Sequence, residues 1–210
     1  MKSVNLGVAL VLALGGPTAV QAAETLVELA DTMQSAKKSE AFLALAELKP
    51  SAHRVDLASS AFSQNSKIPK KYSAYSDNMS PPLSWSAVPD AKSYVLILED
   101  PDAPMSRPFV HWLAWNIPSS VTRLPEGLPS EPSLADPEGM TQGKTTRGAI
   151  GYFGPRPPEG DAAHHYHFQI LALDRVLEVA PGSDRDKLMQ AVKGHVIAAG
   201  ELIGLFAKPT

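Results

Sequence analysis

Apolar residues gather in three short runs of strand character, flanked by two stretches with helical spacing. Residues 94–98 (Tyr-Val-Leu-Ile-Leu) form a continuous apolar run, the pattern of a strand buried on both faces. It stops at Glu99-Asp100-Pro101-Asp102-Ala103-Pro104, whose prolines cannot continue a ladder of hydrogen bonds. Residues 109–117 read as a second strand and 165–173 as a third. Between them, roughly 118–148 is loaded with Pro, Gly, Ser and Glu and reads as surface loop with small elements. The paired prolines of Asn78-Met79-Ser80-Pro81-Pro82-Leu83-Ser84-Trp85 fix an extended path into a further short strand. Residues 24–48 contain neither Gly nor Pro. There Leu26, Leu29, Ala30 and Met33, then Phe42, Leu45, Ala46 and Leu48, recur at helical spacing, predicting one or two helices that end at Pro50. The spacing also predicts a helix over 184–205, with Leu188, Val192, His195, Val196 and Ala199 on one face and Gly182-Ser183-Asp184 as its cap. The pattern is a β-rich core with helices at both ends.

The first residues bear on compartment. Lys2 precedes an apolar run over 6–14, then Gly15-Gly16-Pro17 and the small residues Ala19, Val20, Ala22 and Ala23. That order reads as a secretory signal, and the run is far short of the roughly 20 apolar residues of a membrane anchor. Cleavage is expected after Ala22, with Ala23 the second choice, and a periplasmic or secreted mature chain follows. The expected organisation is a signal over 1–22, a helical extension or linker over 23–52, and one domain over 53–210. The extension docks on the domain, pairs with a partner or acts as a leader.

Composition narrows the chemistry. The chain lacks cysteine, which excludes thiol nucleophiles and thiolate metal sites. Its formal net charge of -3 gives no footprint for nucleic acid or an anionic membrane. Proline, at 19 of 210 residues, is nearly twice its usual share of about 5% and argues against a helical bundle.

Strand parity then singles out histidines, because residues two apart share a face. His111 is expected on one face with Phe109, Leu113 and Trp115. His164 and Tyr166 are expected with Phe168 and Ile170, and His165 and His167 on the opposite face. A histidine on an apolar face is either a satisfied core residue or a ligand donor. The proline-locked Asp100 and Asp102 sharpen the second reading, since Asp100 beside His111 would orient the ring and favour its charged form. The loop from Gly151 to Gly160 (Gly-Tyr-Phe-Gly-Pro-Arg-Pro-Pro-Glu-Gly) precedes His164, and its glycines would let backbone amides approach a ligand.

These segments, in this order, resemble the phosphatidylethanolamine-binding protein family, in particular its bacterial Raf-kinase-inhibitor-like branch. The matching pieces are the 78–85 and 100–104 stretches, His111-Trp112, Gly151 to Pro158, His164-His165-Tyr166, and Gly194-His195-Val196 to Gly200-Glu201-Leu202. The resemblance implies a mainly β fold, a central antiparallel sheet packed on a smaller sheet, to which a C-terminal helix and an N-terminal helical segment are added. It also implies a pocket for phosphate, acetate or a phospholipid headgroup, with Asp100, Asp102, His111, Pro158, His164 and Tyr166 as ligand-binding residues. His165 stands where arginine is common and Arg156 where a small residue is usual, and residues 24–52 have no counterpart. The expected function is an exported anion-binding protein without catalysis, cofactor or metal, acting on a small anionic ligand and modulating a partner protein. The alternative is a periplasmic hydrolase or enzyme inhibitor using the same pocket. A nucleophile motif such as Gly-x-Ser-x-Gly is missing.

Overall fold

The computed structural model describes residues 19–48 and 53–209. The signal-like run therefore lies outside the described residues as far as residue 18. Two compact units divide the chain at Ser35/Ala36. Within the first lies most of helix α1 (Ala19–Glu40), where Leu26, Leu29 and Met33 are all more than half exposed. Among the described residues no helix is long and apolar enough to cross a membrane.

The second unit is built on a six-stranded sheet. In chain order its elements are α2 (Ala44–Leu48), β1 (Leu57–Ala58), β2 (Ser66–Lys67), β3 (Leu83–Trp85), β4 (Ser93–Asp100), β5 (Phe109–Pro118), β6 (Arg123–Leu124), β7 (Thr141–Gln142), β8 (His164–Leu173), α3 (Arg185–Val192) and β9 (Val196–Phe206). The large sheet runs β2-β9-β8-β4-β5-β7, antiparallel except for the β2–β9 pair, and a small antiparallel sheet runs β1-β3-β6. On one face Leu96, Leu98, Trp112, Phe168 and Ile170 pack with Leu83, Trp85 and Leu124 of the small sheet. On the other, Val95, Ile97, Leu113, Trp115 and Leu171 pack with Leu188, Met189 and Val192 of α3 and with Ala44. Cover on both faces is why β4 is apolar without alternation, and every residue of it is buried.

The helix expected over 184–205 forms only in its first part. Asp184 caps it by accepting from the Lys187 backbone N–H at 3.0 Å, and the helix ends at Val192. Gly194, at φ +85°, turns the chain, and the rest becomes β9, where Ala198, Gly200, Leu202, Gly204 and Phe206 alternate inward. Small residues misled the helical reading, since a Gly- and Ala-rich run satisfies either period. The glycine has a packing role: a Cβ on Gly200 would lie 1.9 Å from the Val55 carbonyl oxygen. In the N-terminal segment the buried apolar residues among those described are Leu43 and Ala44, while Ala46 of the expected row is exposed. The first turn of α2 faces the sheet because its backbone N–H groups are spent there: Ala44 N donates to Glu99 at 2.9 Å and Leu45 N to Gln169 at 2.8 Å.

Candidate functional site

Three strands of the large sheet converge at one end. Asp100 is the last residue of β4, His164 and Tyr166 open β8, and His111 lies near the start of β5. Asp100 is held by its own turn, its Oδ1 accepting from the Asp102 and Ala103 backbone N–H groups at 2.9 and 3.2 Å. Its Oδ2 accepts from His164 Nδ1 at 2.9 Å and stands 3.9 Å from His111 Nε2.

His111 reaches this cluster through a break in parity. Leu98 pairs with Trp112 and Glu99 with Val110, so His111 is the extra residue of a bulge. Val110, Leu113 and Trp115 therefore share one face, and His111 does not join Leu113 and Trp115 as alternation predicts. Its ring packs against Tyr166 instead, with centroids 5.2 Å apart, stacks on Phe153 at 5.7 Å and touches Phe109 at 4.6 Å. For His164 and Tyr166 the parity reading holds: both face the core that contains Phe168 and Ile170.

The two histidines differ in protonation, and hydrogen-bond geometry fixes how. His111 Nδ1 lies 2.6 Å from the Phe153 carbonyl oxygen, which can only accept, so Nδ1 carries the proton. Burial pushes this imidazole down to about 4, against the opposing pull of Asp100 and of the Phe153 carbonyl. His111 is thus neutral at pH 7 and presents a lone pair at Nε2. The charged form expected beside Asp100 is not the one that burial favours. His164 instead has an acceptor at each nitrogen: Asp100 at Nδ1, and Asp161 Oδ2 at 3.3 Å from Nε2. Both nitrogens donate, which makes the ring an imidazolium. Burial lowers its affinity for the proton, but the bond and charge of Asp100, aided by Asp161 and Asp102, outweigh it and hold His164 above the ordinary histidine value. Tyr166 is fully buried, and its hydroxyl makes no hydrogen bond of good geometry, with the Asp100 carboxylate and the Arg156 backbone the polar groups that act on it. Burial, then the Asp100 charge, raise its pKa so that the phenol keeps its proton.

The other sequence candidates lie apart from this core. Asp102 turns its carboxylate to His165, accepting from its backbone N–H and from Nδ1, each at 2.7 Å. Pro158 is exposed; Pro155 and Pro157 are the buried prolines of this loop, and the Pro157 carbonyl accepts from the Tyr75 hydroxyl at 2.6 Å. Gly151 and Gly154 serve backbone packing rather than a ligand. A Cβ on Gly154 would meet the Tyr72 carbonyl oxygen at 2.2 Å, and the Gly154 N–H donates to Asn78 Oδ1 at 2.7 Å. Asp161 was missed by the sequence reading, although its place three residues before His164 was the available signal. The Phe153 carbonyl could not be found, since every residue carries one. Among the described residues no cluster of three or more His, Asp or Glu side chains is arranged to hold a metal ion.

Comparison with known proteins agrees with this architecture. The family model for phosphatidylethanolamine-binding protein matches residues 58–207. The UPF0098 protein PH1269 of Pyrococcus horikoshii is 47% identical over 151 residues, 71% of this chain and 75% of its own. A UPF0098 protein of Methanothermobacter thermautotrophicus is 43% identical over 155 residues, 73% of this chain and 99% of its own. Among solved structures, the phosphatidylethanolamine-binding protein homologue CT736 of Chlamydia trachomatis superposes with a TM-score of 0.66 at 40% identity, over 75% of this chain and all of that one. YbcL of Escherichia coli, described as a member of the mammalian PEBP family, gives 0.69 at 29% identity, over 74% of this chain and 99% of that one.

Proposed function

This chain belongs to the phosphatidylethanolamine-binding protein family, and we propose that it is an exported, non-catalytic binding protein whose Asp100–His164 pair receives a small oxyanion. Free phosphate, a phosphate headgroup and a carboxylate share the required chemistry. The observation that carries this reading is the His164 ring with a carboxylate at each nitrogen, buried Asp100 at Nδ1 and Asp161 at Nε2, an arrangement that favours its charged form. The Asp161 side chain is 42% exposed, so it is an oxyanion that solvent can replace. An incoming anion would take its position at Nε2, on the ring that stacks with Tyr166 at 6.4 Å. Non-catalytic binding is favoured because the nearby hydroxyl is a phenol that burial keeps protonated, a poor nucleophile at neutral pH. Export rests on the pattern of residues 1–22. Modulation of a partner protein is a further part of the proposal, with the anion pocket as the regulated element.

The test is an NMR titration of the histidine ring signals with inorganic phosphate and with acetate. Saturable shifts are expected in the wild type and none in His164→Ala. Asp161→Asn, which removes the resident carboxylate, should tighten phosphate by severalfold. Affinity should fall as pH rises through the elevated His164 pKa, where the ring loses its charge. The absence of any shift at millimolar phosphate and acetate would overturn the reading.

A further inference from the structure

A separate cavity, of about 390 Å³, opens where β5 begins, on the sheet face that carries Val110 and receives Arg185 at Glu99. Small-molecule sites span roughly 300–1,000 Å³. Four segments build its wall. The N-terminal segment gives Phe42, the loop between β4 and β5 gives Met105 and Pro108, β5 gives Val110, and the turn after β7 gives Lys144 and Thr145. The wall is held in place. Arg185 donates to the Phe42 carbonyl, the Arg107 guanidinium lies 5.5 Å over the Phe42 ring, and Val110 N donates to Thr146 Oγ1 at 2.8 Å. Met105 nevertheless stays 44% exposed, so the cavity leaves apolar surface in water that the body of a ligand would cover.

The charges around this cavity cancel except at one residue. Arg107 pairs with Asp186 at 3.0 Å, Arg185 with Glu99 and Glu47, and Asp184 caps α3 by accepting from the Lys187 N–H. Lys144 is exposed and has no ion-pair partner among the described residues. Next to it Thr145 is 5% exposed, and its hydroxyl makes no hydrogen bond. An unpaired cation and an unpaired hydroxyl beside an apolar wall are the complement of an amphiphile with one anionic head. We propose that the cavity is a second ligand site for a small amphipathic carboxylate, whose apolar body covers Phe42, Met105 and Val110 and whose head accepts from Lys144 Nζ and the Thr145 hydroxyl. One free cation, with Asp184 and Asp186 in the same wall, suits a single negative charge rather than a phosphate dianion. An ammonium head would meet Lys144 as a like charge, and an alcohol would bring no charge at all. None of the lining residues belongs to the Asp100–His164 cluster, so the site stands apart from the anion-binding reading.

The experiment is a titration of the full chain with octanoate at pH 7, followed by NMR of the methyl signals, with octanol and octylamine as controls of equal chain length. Octanoate should shift the Met105, Val110, Thr145 and Thr146 methyls saturably. Its affinity should exceed that of hexanoate by about fourfold per added methylene. Octanol and octylamine should bind about tenfold more weakly. Lys144→Gln, a change at an exposed side chain, should weaken octanoate about tenfold and leave octanol unchanged. Equal affinity for octanol or octylamine, or undiminished octanoate binding in Lys144→Gln, would overturn the carboxylate assignment. Shifts confined to the His111 and His164 rings would put octanoate in the Asp100 cluster and overturn the second site. The lack of any saturable shift at millimolar octanoate would overturn it too. Failure of phosphate to bind at His164 leaves every one of these outcomes unchanged, so the two sites are tested separately.

Discussion

Glu99 and Asp100 are adjacent, both buried, and point to opposite faces of β4, yet they end in opposite kinds of network. Glu99 accepts from the Ala44 backbone N–H, from Gln169 Nε2 at 2.7 Å and from Arg185 Nε at 2.5 Å. Arg185 also donates through Nη1 to Glu47 at 3.1 Å and through Nη2 to the Phe42 carbonyl. The network is closed by protein alone and ties residues 42–47 to the sheet. Asp100 anchors a network that stays open: one lone pair faces another at His111, and the Tyr166 hydroxyl makes no hydrogen bond of good geometry. Burial by itself therefore does not mark a site. Leftover hydrogen-bonding capacity does, because an unpaired buried polar group costs free energy that a ligand can recover.

The comparison breaks most visibly at Arg185. Arg185→Ala leaves Glu99 charged, buried and short of a partner, so thermal unfolding should show a loss of about 3–5 kcal/mol. The phosphate affinity of the fraction that remains folded should be unchanged.

A second test separates the two histidines by pH. Between pH 6.5 and about 4 the unfolded chain binds a proton that folded His111 refuses, so this group makes stability fall as pH falls. The window corresponds to about 3 kcal/mol. His164 has the opposite sign: its contribution is fully present below 6.5 and is lost as pH rises through its elevated pKa. His111→Phe should flatten the acid limb of a denaturation series and leave the alkaline one.

Asp100→Asn should cost at least about tenfold in phosphate affinity, or about 1.4 kcal/mol, because the charge on His164 loses its principal support; titration calorimetry reads this directly. The smallest effect has the most distinctive sign. Tyr166→Phe removes a buried hydroxyl that makes no hydrogen bond of good geometry, so the free protein should gain about 1 kcal/mol in denaturant unfolding while phosphate binding weakens severalfold. A loss of stability would show that the hydroxyl is satisfied.

Much of the site was legible because its residues sit where strand patterns end. Asp100 follows the apolar run of β4, and the parity of β8 put His164 beside Tyr166 on the correct face. What escaped was set by contacts distant along the chain. The bulge that moves His111 arises from pairing with Glu99, the proton on its ring is placed by a carbonyl 42 residues away, and the resident carboxylate of Asp161 belongs to a loop with no periodic signal.

The amino-acid sequence alone determined the order of the three central strands' segments, the cap at Asp184, the family and the histidine, aspartate and tyrosine set at one end of the sheet. Those depend on local periodicity, capping and fixed side-chain chemistry. Only tertiary structure decided that 196–206 is a strand rather than a helix, and that Glu99 is closed while Asp100 stays open. It also decided which histidine carries charge. In each case the deciding energy is burial and hydrogen bonding between segments far apart in the chain, which no local pattern encodes.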